Sequence, residues 1–344
     1  MKDVAKAAGV SLSTVSYALN SNRPISPATR DRVMAAVDDL GYTRNAAARA
    51  LAGRRSHVLA LVLPPTSTSF SATIGQFVAG AVAAAEEHGY TLVIWPFAWD
   101  DQAKVDQLVR QKLADGVLVM EVTLDDQRIT ALERAHVPFT MIGRTAELAG
   151  RSWVDIDFEA TMAETLDRLT ALGHTRVALL NHSNRMLDAR YGPAVRTRDA
   201  FLDQTARRRL VGYHTPCDDT ALAGRGAAAQ IWGHDPDITA VITLHELAAI
   251  GLVNWLTVED RAIPDDVSVI GIATSPLITA LSVPPLTAMR APGPDLGRTA
   301  IYELIDVIDA EPRRDRPRLI PCTYTEGGTL APAQPGHPAR KVRS

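Results

Sequence analysis

Short apolar runs alternate with amphipathic helical patterns from Val58 to about Leu330. The first runs are HVLALVLP, TLVIWPF, GVLVMEV and PFTMIG, and a second series contains RVALLNH, ITAVITL and VSVIGIA. Because near-continuous apolar strands separated by helices are typical of parallel sheets covered on both faces, each series predicts one parallel α/β lobe. Helices are expected in the second series near residues 157–172, 193–208, 220–232 and 245–258.

The first 44 residues, called the head below, show short helical patterns separated by turn signals. A first helix is predicted over residues 3–8, a tight turn at Gly9, and a second helix from the N-cap Ser11 to about Leu19. This is the spacing of a helix-turn-helix unit. A third helix is expected to open at Thr29. The apolar positions predict a core of Val4, Val10, Val15, Leu19, Val33, Val37 and Leu40.

The second helix leaves an uncharged outer face made of Leu12, Ser13, Ser16 and Tyr17. Such a face suits the DNA major groove, about 12 Å wide, where base edges are read by hydrogen bonds and methyl contacts. Arg30, near the start of the third helix, is suited to a phosphate contact. An ordinary solvent-exposed helix is the alternative for this segment taken alone.

Residues 45–55, the hinge, connect the head to residues 56–331, the body. An Ala-rich pattern from Asn45 to Gly53 predicts a helix of about eight residues, and isolated helices shorter than ~12–15 residues are marginal in water. The hinge is therefore expected to fold only with a partner. Residues 332–344 are rich in Pro, Ala and basic residues, which predicts a disordered tail.

Composition and charge narrow the class of protein. The chain has 344 residues, 46% hydrophobic and 22% charged, which is ordinary for a globular protein of two or three domains. With only Cys217 and Cys322 and no long apolar run, we expect a cytoplasmic protein without a membrane span or signal peptide. Residues 1–55 hold nine Lys or Arg against four Asp or Glu, a net charge of +5 in a chain of net charge −3. This balance indicates a nucleic-acid-binding head, although a solvated basic face would produce the same numbers.

Several motifs, in order along essentially the whole chain, resemble the lactose/galactose-repressor (LacI/GalR) family. They are KDVAKAAGVSLSTVSYALN, ISPATRDRVMAAVDDLGYTRNAAARALAG, VPFTMIGR, LGHTRVALL, and IPDDVSVIGI followed by PPLTAMR. The resemblance implies a small all-α helix-turn-helix head joined by a hinge helix to a two-lobed α/β core that is similar to periplasmic binding proteins. It also implies an effector-responsive transcriptional regulator, most often a repressor, that binds a near-palindromic double-stranded DNA operator as a homodimer. No cofactor, metal or catalytic residue is implied.

The resemblance further implies roles for residues and boundaries for lobes. Leu12, Ser13 and Tyr17 fall where the family reads half-site bases, and Ala48 and Leu51 fall where the hinge meets the minor groove. Asn45 is a further candidate for DNA contact. Leu51 would be the wedge that opens the central base step. The first lobe would contain about residues 56–156 and 286–313, and the second about 157–285 and 314–331.

A small-molecule effector is expected in the cleft between the lobes, beyond the carboxyl ends of the strands. The candidate contacts follow strands or open the helix where the family holds its ligand with an arginine: Phe70, Arg144, His182, Arg196, Arg198, His245, Glu246 and Thr274. The sequence departs from the family at this cleft, because His245-Glu246 replaces the usual Asn-Asp and Ala273-Thr274 replaces an acidic residue. Since sugar hydroxyls need several inward carboxylates and amides, the effector is expected to be an atypical sugar or another metabolite.

An enzyme and a plain binding protein are the alternative classes. HELAA from His245 begins like a zinc-protease helix but has Ala249 where the second histidine is needed. GRGAAAQ, residues 224–230, holds two glycines of a dinucleotide loop but follows no convincing strand. The basic head and the missing export signal oppose a plain binding protein. We expect a regulator without enzyme activity, and a dimer, because the tail lacks leucine heptads that could form a tetramer.

Replacing Leu51 by Ala tests the wedge assignment. Operator binding is expected to weaken several-fold while the body stays folded, because apolar insertion supports a bend of tens of degrees that widens the protein–DNA contact. Fluorescence anisotropy measures the affinity, and energy transfer between labels on the two duplex ends measures the bend. Unchanged affinity together with an unchanged bend would contradict the assignment.

Overall fold

A computed structural model describes residues 1–20, 24–41, 55–64, 71–96, 98–99, 101–111, 113–148, 150–311 and 316–334. The chain divides into two compact units, Met1–Ser56 and His57–Ser344. The predicted hinge helix of residues 45–53 and residues 335–344 of the predicted tail lie outside the described residues. At the start of that tail, the amide of Ala333 donates a hydrogen bond to the carbonyl of Leu172 at 2.8 Å, so the chain still contacts the body there.

The described part of the head, residues 1–20 and 24–41, contains three helices: α1 Lys2–Ala8, α2 Leu12–Asn20 and α3 Pro27–Asp39. Gly9 ends α1 in the left-handed conformation with φ 63°, and Ser11 caps α2 by accepting a hydrogen bond from the Thr14 amide at 3.1 Å. This confirms the predicted helix-turn-helix. The third helix begins two residues before Thr29, because Ser26 supplies its cap and Pro27 suits its first position.

The core of the head lies where the three helices meet. Val4, Val15 and Val33 are fully buried there. Val10 and Val37 pack against them, as the apolar pattern predicts. Leu40 is 49% exposed, which corrects its predicted place in this core, because it caps the end of α3. The side chain of Leu19 lies outside the part that the structure describes.

The body alternates strands and helices in two series. The first contains β1 Val58–Leu63, α4 Ala72–Glu87, β2 Thr91–Pro96, α5 Gln102–Gln111, β3 Gly116–Val119, α6 Gln127–Arg134, β4 Phe139–Ile142 and β5 Trp153–Ile156. The second contains α7 Phe158–Ala171, β6 Arg176–His182, α8 Asn184–Asp188, α9 Gly192–Arg208, β7 Val211–Cys217, α10 Ala221–His234, β8 Ala240–Thr243, α11 Glu246–Val258, β9 Ser268–Thr274, α12 Pro276–Thr279 and β10 Thr287–Arg290. The last described elements are α13 Gly293–Asp309, β11 Leu319–Ile320 and β12 Thr323–Thr325.

Two six-stranded sheets organise the body, in the orders β11-β5-β4-β3-β1-β2 and β12-β10-β9-β8-β6-β7. Neighbouring strands are parallel except for β10 and β12, which are antiparallel. All residues of β3, β5 and β8 are buried, as expected for strands covered on both faces. The predicted two-lobed α/β core is therefore confirmed.

Within the residues that the structure describes, the strands place three crossings between the lobes, and two of these differ from the expected boundaries. The first follows residue 156, as predicted. The sequence assigns residues 286–313 to the first lobe, but β10 pairs with β9 in the second sheet, with Thr287 beside Ile270. It assigns residues 314–331 to the second lobe, but β11 pairs with β5 in the first sheet. Strands of four and two residues are too short for a hydropathy pattern to assign them to a sheet.

Helices α10 and α11 pack together over the second sheet so closely that their contact needs glycine. A Cβ on Gly224 would lie 2.1 Å from the carbonyl oxygen of Ala248, and a Cβ on Gly251 would lie 2.0 Å from that of Ala221. The two helices cover a buried apolar core that contains Trp232 and Leu252. The glycines of GRGAAAQ therefore lie within α10, and Gly224 is a packing position.

Gly224→Ala tests the close approach, with Gly226→Ala as the matched control on the same helix. The first variant is expected to lose about 1–3 kcal/mol of unfolding free energy, because the new methyl group meets backbone. In the second variant the new methyl group has no atom within 4 Å, and the unfolding free energy is expected to rise by up to about 1 kcal/mol because alanine has a higher helix propensity than glycine. Urea unfolding of the full chain measures both, and equal effects would contradict the packing account.

Candidate functional site

The outer face of α2 is the first candidate surface, and the structure places its predicted residues as follows. Leu12 is 45% exposed and Ser13 is exposed, while Ser16 and Tyr17 are half-buried. Val15 and Ala18 point the other way, into the core of the head. Arg30 is exposed on α3. Asn45, Ala48 and Leu51 fall among residues 42–54, for which the structure provides no description.

A cavity of about 440 Å³ lies between the two lobes of the body. The first lobe contributes the start of α4, with Ser71 and Thr73, and Glu121, which follows β3. The second lobe contributes residues at the ends of β6, β7, β8 and β9. Because the carboxyl ends of parallel strands meet at one edge of each sheet, the cavity occupies the position where α/β proteins hold small ligands.

His182 and His245 form part of the wall, at the ends of β6 and β8. Their rings meet edge to face with centroids 4.2 Å apart, and the Tyr191 ring packs on His182 with centroids 5.0 Å apart. Burial lowers the pKa of both histidines, so the pair is neutral at pH 7.

One nitrogen of His245 remains without a partner. Its Nδ1 lies 3.9 Å from Asp219 Oδ2, and its ring also bonds the backbone of Cys217. Nε2 is buried and has no hydrogen-bond partner among the described residues. Because these acceptors favour a proton on Nδ1, Nε2 presents a lone pair, and a bound ligand would have to donate a hydrogen bond to it.

Glu246 also lines the cavity, but its carboxylate joins the two lobes instead of being free. One oxygen accepts hydrogen bonds from the hydroxyl of Thr73 at 2.9 Å and the amide of Ser275 at 2.7 Å, and the other accepts from the Ala72 amide at 3.1 Å. Ala72 and Thr73 open α4 in the first lobe, whereas Glu246 opens α11 in the second. The side chain is 4% exposed, so little acceptor capacity remains for a ligand.

Arg144 and Arg196 do not line the cavity; they meet across the lobes beside it. Arg196 on α9 donates to the carbonyl oxygen of Arg144 at 2.7 Å, and its Nη1 lies 3.7 Å from Asp155 Oδ2. Burial raises the pKa of Asp155 to about 6 against the effect of both arginines, and lowers the pKa of Arg196 to about 10. A Cβ on Gly192 would lie 2.4 Å from Arg196 Nη1, so the glycine makes room for the guanidinium.

Three further predicted contacts are placed elsewhere or are not described. Arg198 bonds its neighbour Asp199 at 2.8 Å on the surface, because it sits on the outer side of α9. Thr274 is buried within the second lobe, and its neighbour Ala273, with φ 52°, lines the cavity instead. Phe70 falls in the gap between residues 64 and 71.

Sequence reasoning missed Glu121, Tyr191, Asp218 and Asp219, which all line the cavity. The wall therefore carries several carboxylates, which corrects the expectation of an acid-poor pocket. Asp218 and Asp219 follow β7, whose sequence VGYHTPC mixes polar residues and proline and so predicts no strand. Glu121 lies within the run GVLVMEV, which the sequence suggests is all strand, although β3 ends at Val119. The signal that could have found these carboxylates is their position, because each lies within two residues of the carboxyl end of a strand.

The described residues contain no candidate metal cluster, no reactive thiol and no helix that could span a membrane. No group of three or more His, Cys, Asp or Glu is placed there to hold a metal ion. Burial raises the pKa of the Cys217 and Cys322 thiols to about 12, so neither is a reactive thiolate at pH 7. Over the same residues, no helix combines the length and apolar character needed to cross a membrane.

Comparisons with known proteins identify the family. Residues 1–45 match bacterial regulatory proteins of the lacI family, and residues 166–330 match a periplasmic binding protein-like domain. The HTH-type transcriptional regulator reg1 of Streptomyces lividans is 30% identical over 98% of this chain and 99% of its own length. The chain belongs to the LacI family of transcriptional regulators.

Other relatives and solved structures agree with this placement. The regulator MalR of Streptomyces coelicolor is 28% identical over 98% of this chain and 99% of its own. The Lac repressor dimer bound to operator and the anti-inducer ONPF shares the fold with a TM-score of 0.83 at 24% identity, over 96% of this chain and 98% of that one. A complex of the regulator CelR with cellobiose has a TM-score of 0.70 at 24% identity, over 95% and 98%. LacI-family members are regulators and not enzymes, which confirms that expectation.

Glu246→Gln tests the bond between the lobes, with the exposed Glu86→Gln at the end of α4 as the control. The unfolding free energy is expected to fall by about 1–3 kcal/mol for Glu246→Gln, because one amide cannot accept from all three donors and leaves buried groups unpaired. The control is expected to change it by less than about 0.5 kcal/mol. Chemical unfolding of the full chain measures both variants. Equal stability of the two variants would show that Glu246 does not hold the lobes together.

Proposed function

We propose that this LacI-family regulator binds a near-palindromic operator as a homodimer and that a small molecule between its lobes controls that binding. The observation that carries the proposal is the combination, in one chain, of a helix-turn-helix with an exposed uncharged face and a cavity whose wall comes from both lobes. A repressor is the form of regulation that the family resemblance favours.

The DNA contacts proposed for the head follow from exposure and chemistry. Leu12, Ser13, Ser16 and Tyr17 would meet base edges in the major groove, where hydroxyls bond bases and apolar groups contact thymine methyls. Arg30 would bond a phosphate. Asn45, Ala48 and Leu51 would act in the minor groove at the operator centre, with Leu51 between base pairs.

Exposed apolar side chains on the body support the proposed dimer. Leu277, Leu281 and Val283, in and after α12, are 64%, 61% and 87% exposed. Val93 and Ile94 are 41% and 47% exposed on β2, which is an edge strand of the first sheet. Several large apolar side chains exposed on one segment, as at Leu277, Leu281 and Val283, are typical of surfaces that another protein covers. A second copy would also supply the second half-site reader, because HTH dimers bind half-sites about one helical turn apart.

Control by a small molecule follows from the position of the cavity. A ligand that contacts Thr73 and Glu121 on one side and His182 and His245 on the other would bind the closed lobes better than separated ones. It would therefore shift the equilibrium between closed and separated lobes toward the closed state. The size of this shift is set by the difference between its affinities for the two states. The hinge, too short to be stable alone, is the element that would respond.

Tyr17→Ala, with Arg30→Ala as the matched control, tests the proposed reading surface. Full-length protein selects its operator from a library of random duplexes, and the affinity for every base at each half-site position is then measured. Tyr17→Ala is expected to relax the preference at one position by about 1–3 kcal/mol.

Arg30→Ala is expected to weaken binding to all sequences about equally and to reduce the salt dependence by roughly one phosphate contact. A uniform loss for Tyr17→Ala would place its side chain on the backbone. Failure of the wild-type chain to enrich any duplex at low salt would overturn the proposed function itself.

A further inference from the structure

The charge of the cavity wall is unbalanced toward negative. Glu121, Asp218 and Asp219 line it in addition to Glu246, whose oxygens are already engaged, and Oδ1 of Asp219 accepts from the amides of Leu247 and Ala248. Among the described residues of the wall, Arg185 is the one permanent cation, and it is exposed at the rim. The two histidines are neutral because burial lowers their pKa values. The wall therefore offers negative charge without a matching positive charge.

Glu121 is held at the wall of the cavity through its backbone. Its backbone adopts the left-handed conformation, φ 53°, which a non-glycine residue rarely takes without support. The support comes from two hydrogen bonds to its carbonyl oxygen, from Trp99 Nε1 at 2.7 Å and from Arg128 Nη2 at 3.0 Å. The strained backbone turns the side chain out of the β3 direction and into the wall of the cavity.

The Glu121 carboxylate forms no ion pair with any residue that the structure describes, although the charge of Arg128 acts on it. Arg128 is nearby, but it bonds both carboxylate oxygens of Asp126, at 2.7 and 2.9 Å. No described residue donates a hydrogen bond to the Glu121 side chain, and burial raises its pKa to about 7, so the carboxyl group is only partly ionised at pH 7 until a cation binds beside it. Burying a carboxylate without a partner is costly, so this site gains most from a ligand that brings a positive charge.

The rest of the wall suits the same chemistry. The Tyr191 ring is buried beside His182, and burial, with the charge of Glu121 as a smaller cause, raises the pKa of its hydroxyl. Tyr191 and Glu121 both line the cavity, and aromatic rings and carboxylates are both groups that attract an ammonium group. On the second lobe, Nε2 of His245, in a residue only 6% exposed, has no hydrogen-bond partner in the described part of the chain, and with the proton on Nδ1 it can only accept a hydrogen bond. A ligand with anionic groups would meet acceptors on both sides.

We infer that the effector carries a protonated amine that binds the Glu121 carboxylate, on an otherwise hydrogen-bond-donating scaffold such as an aminated sugar. The inference rests on the proposed function, because it assigns a ligand class to the same cavity. Neutral polyols can donate to Glu121 but supply no charge, and phosphorylated or carboxylated sugars are repelled. Glu121 is thus the residue that distinguishes an aminated ligand from its neutral counterpart.

Calorimetry on the full chain tests this with matched probes. Glucosamine, galactosamine, mannosamine and the amine-bearing dimer of glucosamine are each compared with the neutral parent sugar and with the corresponding uronic acid. At least one aminated probe is expected to bind at least tenfold more tightly than its parent, with no measurable binding of the uronic acid. Tighter binding of a neutral or acidic probe, or no binding of any aminated probe, overturns the inference.

Two variants attribute the preference to Glu121. Glu121→Gln is expected to reduce the aminated-to-neutral affinity ratio to within about twofold of one. Asp125→Asn changes an exposed carboxylate on the same loop, paired with Arg190 outside the cavity wall, and is expected to leave the ratio unchanged. Retention of the ratio in Glu121→Gln contradicts the assignment.

Operator binding is measured in the same samples so that the two proposals can fail separately. Operator binding with a preference for neutral sugars would overturn the ligand class and leave the proposed function standing. A clear amine preference in a protein that binds no duplex would support the ligand class and overturn the proposed function.

Discussion

The carboxylate of Glu246 bridges the cleft, and the shape of the cavity depends on that bridge. It belongs to the second lobe, yet two of its three donors open a helix of the first. At the far side of the cleft, the Gly192 amide donates to the Val122 carbonyl at 3.0 Å, and Arg196 reaches the Arg144 carbonyl. Because hydrogen bonds join the lobes on both sides of the cleft, they limit the angle between the lobes. That angle sets the distance between Glu121 and His245.

Two residues expected to contact the ligand, Glu246 and Arg196, instead form hydrogen bonds between the lobes. The family resemblance assigns Glu246 and an arginine at the start of α9 to ligand contact. In this chain both side chains use their hydrogen bonds to connect protein with protein. For the proposed ligand, the groups without a hydrogen-bond partner among the described residues are chiefly the Glu121 carboxylate and His245 Nε2. A pocket whose usual residues hold the lobes together can take a ligand of different chemistry without a change of fold.

Much of the fold could be predicted because long apolar runs and cap residues are local signals. Ser11 and Gly9 define the turn of the head, and the buried strands β1, β6, β8 and β9 are continuous apolar runs. The sheets to which β10 and β11 belong could not be predicted. A strand of two or four residues gains its stability from neighbouring strands, and some of these are distant in sequence.

The site was harder to predict than the fold for a related reason. His182 and His245 were found because they follow clear strands, whereas Asp218 and Asp219 follow a strand with no apolar pattern. The partners of Arg196 and Glu246 lie 52 and 174 residues away, so no local pattern shows that these side chains are already bonded.

Selection of binding sites from random duplexes, followed by a count of chains per bound duplex, tests the central claim most directly. The account predicts that the full chain enriches an inverted repeat with half-sites about one helical turn apart, that two chains occupy each duplex, and that an effector changes the affinity for it. Enrichment of no sequence, or of a single half-site occupied by one chain, would contradict it.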